Sequence, residues 1–423
     1  MDRALALARR GEARASPNPM VGAVLVRGGR VVGEGFHTYD GVKHAEILAL
    51  ERAGKRARGA TLYINLEPCC HLGRTGPCTK AIIGAGVKRV VAAMQDPNPA
   101  VAGKGFAGLR RAGIAVEVGL CEDEARELNE AFAKWITTKM PFVMLKIAMT
   151  HDGKIAWRAP KNPSRAPKGY SSLVVTSDNA KWEAKLKLSR IFDVWAASPR
   201  TRAALRPVMK FAGTYRRPKL RGGRRSRWIT SLRSRQQVQR LRHSHDAILT
   251  GIGTVLADDP LLTDRTNSKR RRRLLRVVLD SKLRLPVNSR LVKTAKGDVI
   301  VFTALPLGSR QAQRLRRAGV ELVRIAKTRD GVDLRAALKE LGARGVTSVL
   351  VEAGQLVNSA ILSGRLADKL IRFIAPVIAG RNGLYAVDAK AGLHMVDLLD
   401  IRSKIFGGDL CIEGHLRDVY GNH

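Results

Sequence analysis

The chain has 423 residues, 45% of them hydrophobic, so it can bury cores for two or three domains at roughly 150 residues each, and wholesale disorder is excluded. No run approaches the ~18 uninterrupted apolar residues of a membrane span. Lys and Arg number 76 against 36 Asp and Glu, a formal net charge of +40 that is densest over 157–225, where 18 basic side chains meet 3 acidic ones.

Such a charge points either to a polyanion partner or to an arginine-rich solvated surface. The apolar stretch at the start, Leu5-Ala6-Leu7-Ala8, is too short for a secretory signal. Of the five cysteines, Cys69, Cys70 and Cys78 fall within ten residues. That clustering predicts a metal site or catalysis in a reducing cytoplasm, not a disulfide scaffold.

In chain order, Val21–Val26, the turn Gly28-Gly29 and Val31–Gly33 predict a hairpin. Residues 44–56 predict a helix with Ile47, Leu48 and Leu50 on its apolar side. A β-rich run over 61–66 is stopped by Pro68. A helix over 79–85, a strand over 89–94, a helix over 101–112 and a strand over 114–118 follow. This alternation is the pattern of an α/β layer fold.

A second α/β segment starts near Pro141, with strands predicted over 142–149, 247–250, 274–280, 298–303, 321–325, 348–351 and 369–374. Helices are predicted over 231–243, 310–318 and 334–341. The run Lys269-Arg270-Arg271-Arg272-Arg273 reads as a solvated loop between strands.

The sharpest signal is His44-Ala45-Glu46 followed by Glu67-Pro68-Cys69 and Cys78. Zinc accepts one His and two thiolates at tetrahedral positions, and a catalytic site keeps the fourth for water. Glu46, two residues beyond His44, is placed to move protons rather than to ligate. That is the logic of zinc nucleobase deaminases. Cys69 directly follows the proline and is the expected ligand, with Cys70 its neighbour.

Several stretches resemble the bifunctional riboflavin-biosynthesis deaminase/reductase family. They include Ser16-Pro17-Asn18-Pro19-Met20-Val21-Gly22, the loop His71-Leu72-Gly73-Arg74-Thr75-Gly76-Pro77-Cys78, and Gln95-Asp96-Pro97-Asn98-Pro99 through Lys104-Gly105. Gly76 departs from the family's usual proline. Farther on, Leu145–Lys154, Trp228–Ser231, Thr254–Thr263, Val277–Ser281 and Val351–Gly354 resemble its reductase domain.

The resemblance implies a cytidine-deaminase-like three-layer domain over 1–145. A dihydrofolate-reductase-like domain is implied over 146–423, interrupted by a basic insert at 157–225. It implies a pyrimidine ribotide substrate, deaminated with zinc and Glu46 and then reduced by NADPH at its ribosyl chain. Asn18 would hold the pyrimidine, and Arg74 and Lys104 would be phosphate or loop contacts. Trp228, Thr254, Asp258, Ser281 and the Gly354–Ala360 turn would touch the nicotinamide cofactor. Ser226, Arg242, Leu262, Arg265 and Glu352 would touch substrate. A homo-oligomer and a cytoplasmic location are implied too.

No Gly-x-Gly-x-x-Gly follows a strand, so the Rossmann fingerprint is missing. Trp228 and Leu262 as core packing, and Asp258 as a turn cap, are the structural alternatives. Two other functions fit the sequence: a deaminase whose reductase half is impaired by the insert, and an RNA base deaminase using the +40 charge. The latter usually keeps a Pro-Cys-x-x-Cys spacing that this chain lacks. The insert itself, with Pro160, Pro163 and Pro167 among its six prolines, predicts a surface excursion whose ends meet beside the reductase cleft. Nucleic acid would bind there only non-specifically.

Overall fold

A computed structural model describes residues 1–157, 228–328, 331–381, 383–388 and 397–421. Apart from Trp157, the expected insert lies outside them, as does Ser226. Among the described residues, no helix is long and apolar enough to cross a membrane.

The first half contains α1 (Asp2–Arg9), β1 (Gly22–Arg27), β2 (Arg30–Phe36), α2 (Ala45–Ala53), β3 (Thr61–Ile64), α3 (Cys78–Gly84), β4 (Arg89–Ala92), α4 (Lys104–Arg111), β5 (Ala115–Val118) and α5 (Glu122–Thr138). Its sheet has the order β2-β1-β3-β4-β5. The hairpin β1–β2 is antiparallel, as is β1–β3, whereas β3, β4 and β5 run parallel. Ala45, Ala49, Ile82 and Leu109 from α2, α3 and α4 pack with Leu25, Leu62, Ile64 and Val90 of the sheet. Ala4 and Leu7 of α1 pack with Val24 on the other face, giving the three layers expected.

Small residues let α2 lie close on the hairpin. A Cβ at Gly33 would stand 2.1 Å from the Ala49 carbonyl oxygen, and one at Gly35 2.5 Å from that of Ala45. These glycines therefore set the height of α2, which carries the chemistry described below. The helix predicted over 101–112 begins only at Lys104, because Ala102 and Gly103 both have positive φ (21° and 85°).

The second half contains β6 (Phe142–Thr150), β7 (Lys154–Trp157), α6 (Leu232–Ser244), β8 (Ala247–Gly251), α7 (Ile252–Asp258), β9 (Leu275–Leu279), β10 (Val299–Thr303), α8 (Arg310–Arg317), β11 (Glu321–Arg324), β12 (Lys327–Thr328), β13 (Gly331–Val332), α9 (Leu334–Ala343), β14 (Ser348–Val351), α10 (Gln355–Ser363), β15 (Lys369–Ala375), β16 (Gly383–Tyr385), β17 (Leu399–Phe406) and β18 (Asp409–His415). Nine strands form one sheet, β11-β10-β9-β8-β14-β6-β15-β18-β17. The strands from β11 to β15 are parallel, and β18 and β17 close the edge antiparallel. Val143, Leu145 and Ile147 enter one core while Phe142 and Met144 enter another. Burial on both faces explains the near-continuous apolar runs of its strands.

The chain leaves β6, skips one place to β8, runs outward to β11, and returns with β14 into the gap. The carboxyl ends of β6, β14 and β8 therefore meet at a topological switch point, where open α/β sheets place their ligands. β6 starts at Phe142, so the second sheet takes up the chain slightly before the division expected at 145.

The Lys269–Arg273 run is not a solvated loop. Only Lys269 and Arg273 are exposed. Arg270 donates to the carbonyl oxygens of Arg242, His243 and His245 at 3.1, 3.1 and 2.8 Å, closing the end of α6, whose last turn leaves carbonyls unpaired. Arg271 and Arg272 reach the first domain. A guanidinium fork can satisfy several carbonyls at once, so a run of arginines can serve as internal mortar.

Candidate active sites

His44 is the N-cap of α2, Glu46 lies in its first turn, and Cys78 is the first residue of α3. Two helix N-termini thus converge, where partial positive charge favours thiolates. His44 Nδ1 lies 3.2 Å from Cys78 Sγ and 3.5 Å from Cys69 Sγ, and all three donor atoms lie within 4.8 Å of one another. Zinc–nitrogen and zinc–sulfur bond lengths at tetrahedral angles require separations of about 3.6 Å between N and S. The trio fits.

Charge points the same way. Cys69 accepts from Cys78 and from His44, which hold its thiol at about 4. Cys78, which donates a hydrogen bond to Cys69 and is buried, keeps its proton and is pushed up. The hydrogen bond with Cys69 in turn raises His44. Two adjacent sulfurs cannot both ionise without a neighbouring cation, and a dication supplies that. Cys70 is outside the trio.

Glu46 is 3% exposed, and burial raises its carboxyl above the usual range. Glu67, also buried, accepts from the backbone N–H groups of Asp96, Gly103 and Phe106 at 3.2, 2.8 and 3.0 Å. It ties the turn carrying Cys69 to the start of α4 and is structural.

Asn18 points its Nδ2 at His37 Nε2, 2.9 Å away. The other nitrogen of His37 faces the Lys43 carbonyl at 3.0 Å, which can only accept. His37 therefore carries its proton on Nδ1 and accepts from Asn18 on Nε2, fixing the sense of the Asn18 amide. Burial lowers the pKa of His37 and keeps the ring neutral. Beyond Asn18, Met20 is clamped by Asn65 and Asn129, which bond its carbonyl at 2.9 and 3.1 Å. Asn129 also accepts from the Met20 N–H at 2.8 Å.

His37, Asn65 and Asn129 were not singled out by the sequence; single polar residues at element ends carry no spacing signal. Arg74 donates to the Tyr39 carbonyl at 3.1 Å and stacks over that ring at 4.3 Å. Lys104 bonds the Pro99 and Ala100 carbonyls at 3.3 and 3.4 Å, a loop contact.

Apart from the His44–Cys69–Cys78 cluster, a cavity of about 1740 Å³ opens at the switch point of the large sheet. Trp228, Thr254, Asp258, Ser281 and Gly354 all line it, as do Arg242, Leu262, Arg265 and Glu352. Leu262 is also core, at 4% exposed, whereas Trp228 is half exposed beneath the Arg235 guanidinium. The Gly354–Ala360 stretch is not a turn: Gly354 caps α10, whose first N–H groups open into the cavity end of β14. Ala156 and Trp228, on either side of the insert, both line this cavity.

Glu352 takes a bidentate contact from Arg242, 2.7 Å to Nε and 3.1 Å to Nη2, and Lys146 Nζ lies 3.0 Å away. Burial alone would raise this carboxyl, but the two cations outweigh it and hold it at about 2. A fixed array of one carboxylate and two cations sits on the cavity floor.

Comparison with known proteins covers both halves. Residues 1–94 match the cytidine and deoxycytidylate deaminase zinc-binding region, and 221–412 match the RibD C-terminal domain. The chain is 37% identical over 382 residues to riboflavin biosynthesis protein RibD of Aquifex aeolicus (strain VF5), covering 90% of this chain and 87% of that one. Among solved structures, Acinetobacter baumannii RibD is similar with a TM-score of 0.73 at 33% identity, over 98% of this chain and 97% of that one. A diaminohydroxyphosphoribosylaminopyrimidine deaminase/5-amino-6-(5-phosphoribosylamino)uracil reductase from Thermotoga maritima gives a TM-score of 0.71 at 32% identity, with the same coverage. Likeness of this extent, running through both catalytic halves, places the chain in the RibD family of bifunctional riboflavin-biosynthesis deaminase/reductases.

Proposed function

We propose that the first domain deaminates 2,5-diamino-6-(5-phosphoribosylamino)pyrimidin-4(3H)-one and that the second reduces the product's ribosyl chain with NADPH, yielding 5-amino-6-(5-phosphoribitylamino)uracil. The observation that carries this is the coexistence of the His44–Cys69–Cys78 trio beside buried Glu46 with a separate cavity at the switch point of the large sheet. We place the division between the two units at the link between α5 and β6.

Zinc held by His44, Cys69 and Cys78 would supply Lewis-acid activation of water. Asn18, its amide oriented by His37, binds the pyrimidine. Glu46 takes the proton of the attacking water and delivers it to the ring amine, which departs as ammonia while a carbonyl replaces it. Burial of Glu46 keeps that proton from bulk water.

In the cavity of the large sheet NADPH would supply the hydride, and the protein supplies placement. Trp228, Thr254, Asp258, Ser281 and Gly354, where β14 ends and α10 begins, would hold the cofactor. Arg242, held straight by Glu352, faces the ribotide with Leu262 and Arg265. Ser226 is assigned to the same substrate by resemblance alone. The protein works in the cytoplasm as a homo-oligomer. Ammonia release from the diaminopyrimidine ribotide, followed by NADPH oxidation on the deaminated product, tests the assignment. Ammonia release from an RNA hairpin instead, or equal use of NADH, would sink it.

A further inference from the structure

Two of the five residues in the Lys269–Arg273 run cross from the second domain to the first, and both end at Ser16. The Arg271 N–H donates to the Ala13 carbonyl at 2.9 Å and its Nη1 to the Ser16 carbonyl at 2.9 Å. Its Nε binds Asp40 at 3.0 Å, and its guanidinium lies 3.6 Å from the centre of the Tyr39 ring. Arg272 Nη2 reaches Ser16 Oγ at 3.3 Å and the Gly345 carbonyl at 3.0 Å. Ser16 Oγ in turn donates to Asp246, just before β8, at 2.7 Å.

These contacts hold both the segment that carries Asn18 and the one that carries His37, which orients the Asn18 amide. Ser16 is two residues before Asn18, and Tyr39 is two residues after His37. The ion pair to Asp40 is solvent-exposed and contributes little by itself. What the guanidinium adds is direction: one planar group bonds the Ser16 carbonyl and stacks flat on Tyr39, so the two segments are fixed relative to each other. The zinc trio and Glu46 stand on α2, α3 and the turn at Cys69, anchored by contacts within the first domain.

We propose that Arg271 and Arg272 are positioning residues for deamination: the reductase domain sets the place of Asn18. The proposal rests on Asn18 as the pyrimidine contact. Asn18 grips the ring equally before and during reaction, so its displacement weakens substrate and transition state alike. That raises KM and leaves kcat in place.

The test is steady-state kinetics of both activities on the full chain, with zinc content, for Arg271→Ala and Ser16→Ala. Arg273→Ala, at an exposed position in the same run, is the control. In Arg271→Ala the KM for ammonia release should rise about tenfold, the equivalent of about 1.4 kcal/mol. Its kcat, zinc content and reductase kinetics should hold, and Arg273→Ala should match wild type. Ser16→Ala deletes one hydroxyl and should raise the same KM, so the test survives if Arg271→Ala does not fold. Unchanged KM in the soluble variants overturns the proposal, and so does a parallel loss of both activities with zinc, which marks a merely structural role. Failure of the underlying reading looks different: Asn18→Ala would then leave the KM for ammonia release at its wild-type value.

Discussion

A Cβ on Gly105 would stand 2.2 Å from the carbonyl oxygen of Pro68. Helix α4 thus rests directly on the turn that presents Cys69, and the Glu67 carboxylate, bonded to Gly103 and Phe106, locks the two together. Gly105→Ala should push α4 off that turn at a cost of ~1–3 kcal/mol. Both the melting temperature and zinc affinity, read by competition with a chromophoric chelator, should fall. Gly108→Ala on the same helix meets nothing within 4 Å. It should stabilise by ~0.5–1 kcal/mol, the ordinary helix preference for alanine. Equal effects of the two would show that the contact with Pro68 is unimportant.

Glu46→Gln should keep one zinc per chain and full NADPH oxidation on the deaminated ribotide, yet lose ammonia release by roughly 10²–10⁴-fold. The amide preserves size and burial but can neither take the proton from water nor pass one to the ring amine. A variant that deaminates at the wild-type rate would place the proton transfer elsewhere.

Cys69 and Cys70 are adjacent in sequence and opposite in environment. Cys69 Sγ faces His44 and receives the Cys78 N–H at 3.4 Å. Burial and the neighbouring charges of Glu67 and Cys69 raise the Cys70 thiol instead. Cys69→Ser should therefore lose zinc, measured by elemental analysis after gel filtration, whereas Cys70→Ser should retain it. The reverse pattern would exchange the ligands.

These residues show where sequence was readable. His44, Glu46, Cys69 and Cys78 could be read because zinc demands fixed residue types close to helix starts, and the parallel strands of the large sheet because burial on both faces writes apolar runs. Helix α5 went unread although Glu122, Asp123 and Glu124 mark its first turn and Ala125, Leu128, Phe132 and Trp135 recur at helical spacing. The β17–β18 hairpin hid behind polar strands at the sheet edge, its Gly407-Gly408 turn being the one cue. Arg270, Arg271 and Arg272 looked like solvent-facing charge because most of their partners are backbone carbonyls and an aromatic face, and the carboxylates of Asp40 and Asp246 that Arg271 and Arg272 also meet lie far off in sequence; only Asp264, six residues before Arg270, was a local cue.

Glu352 offers a test through pH. Its folded value of about 2 lies below the ordinary 4.5 because Lys146 and Arg242 outweigh burial. A lowered carboxyl contributes stability that is fully present above about 4.5 and is lost as pH falls toward about 2. Glu352→Gln leaves Arg242 and Lys146 buried without a counter-charge, a loss of ~3–5 kcal/mol at neutral pH. Calorimetry of both proteins from pH 7 downward should show the melting temperatures well apart at pH 7, with the gap holding to about 4.5 and closing below it. Reductase KM for the ribotide should rise in the same variant, since Arg242 loses the partner that orients it. A gap that stays constant into acid would mean that the carboxylate is not the group the two cations hold.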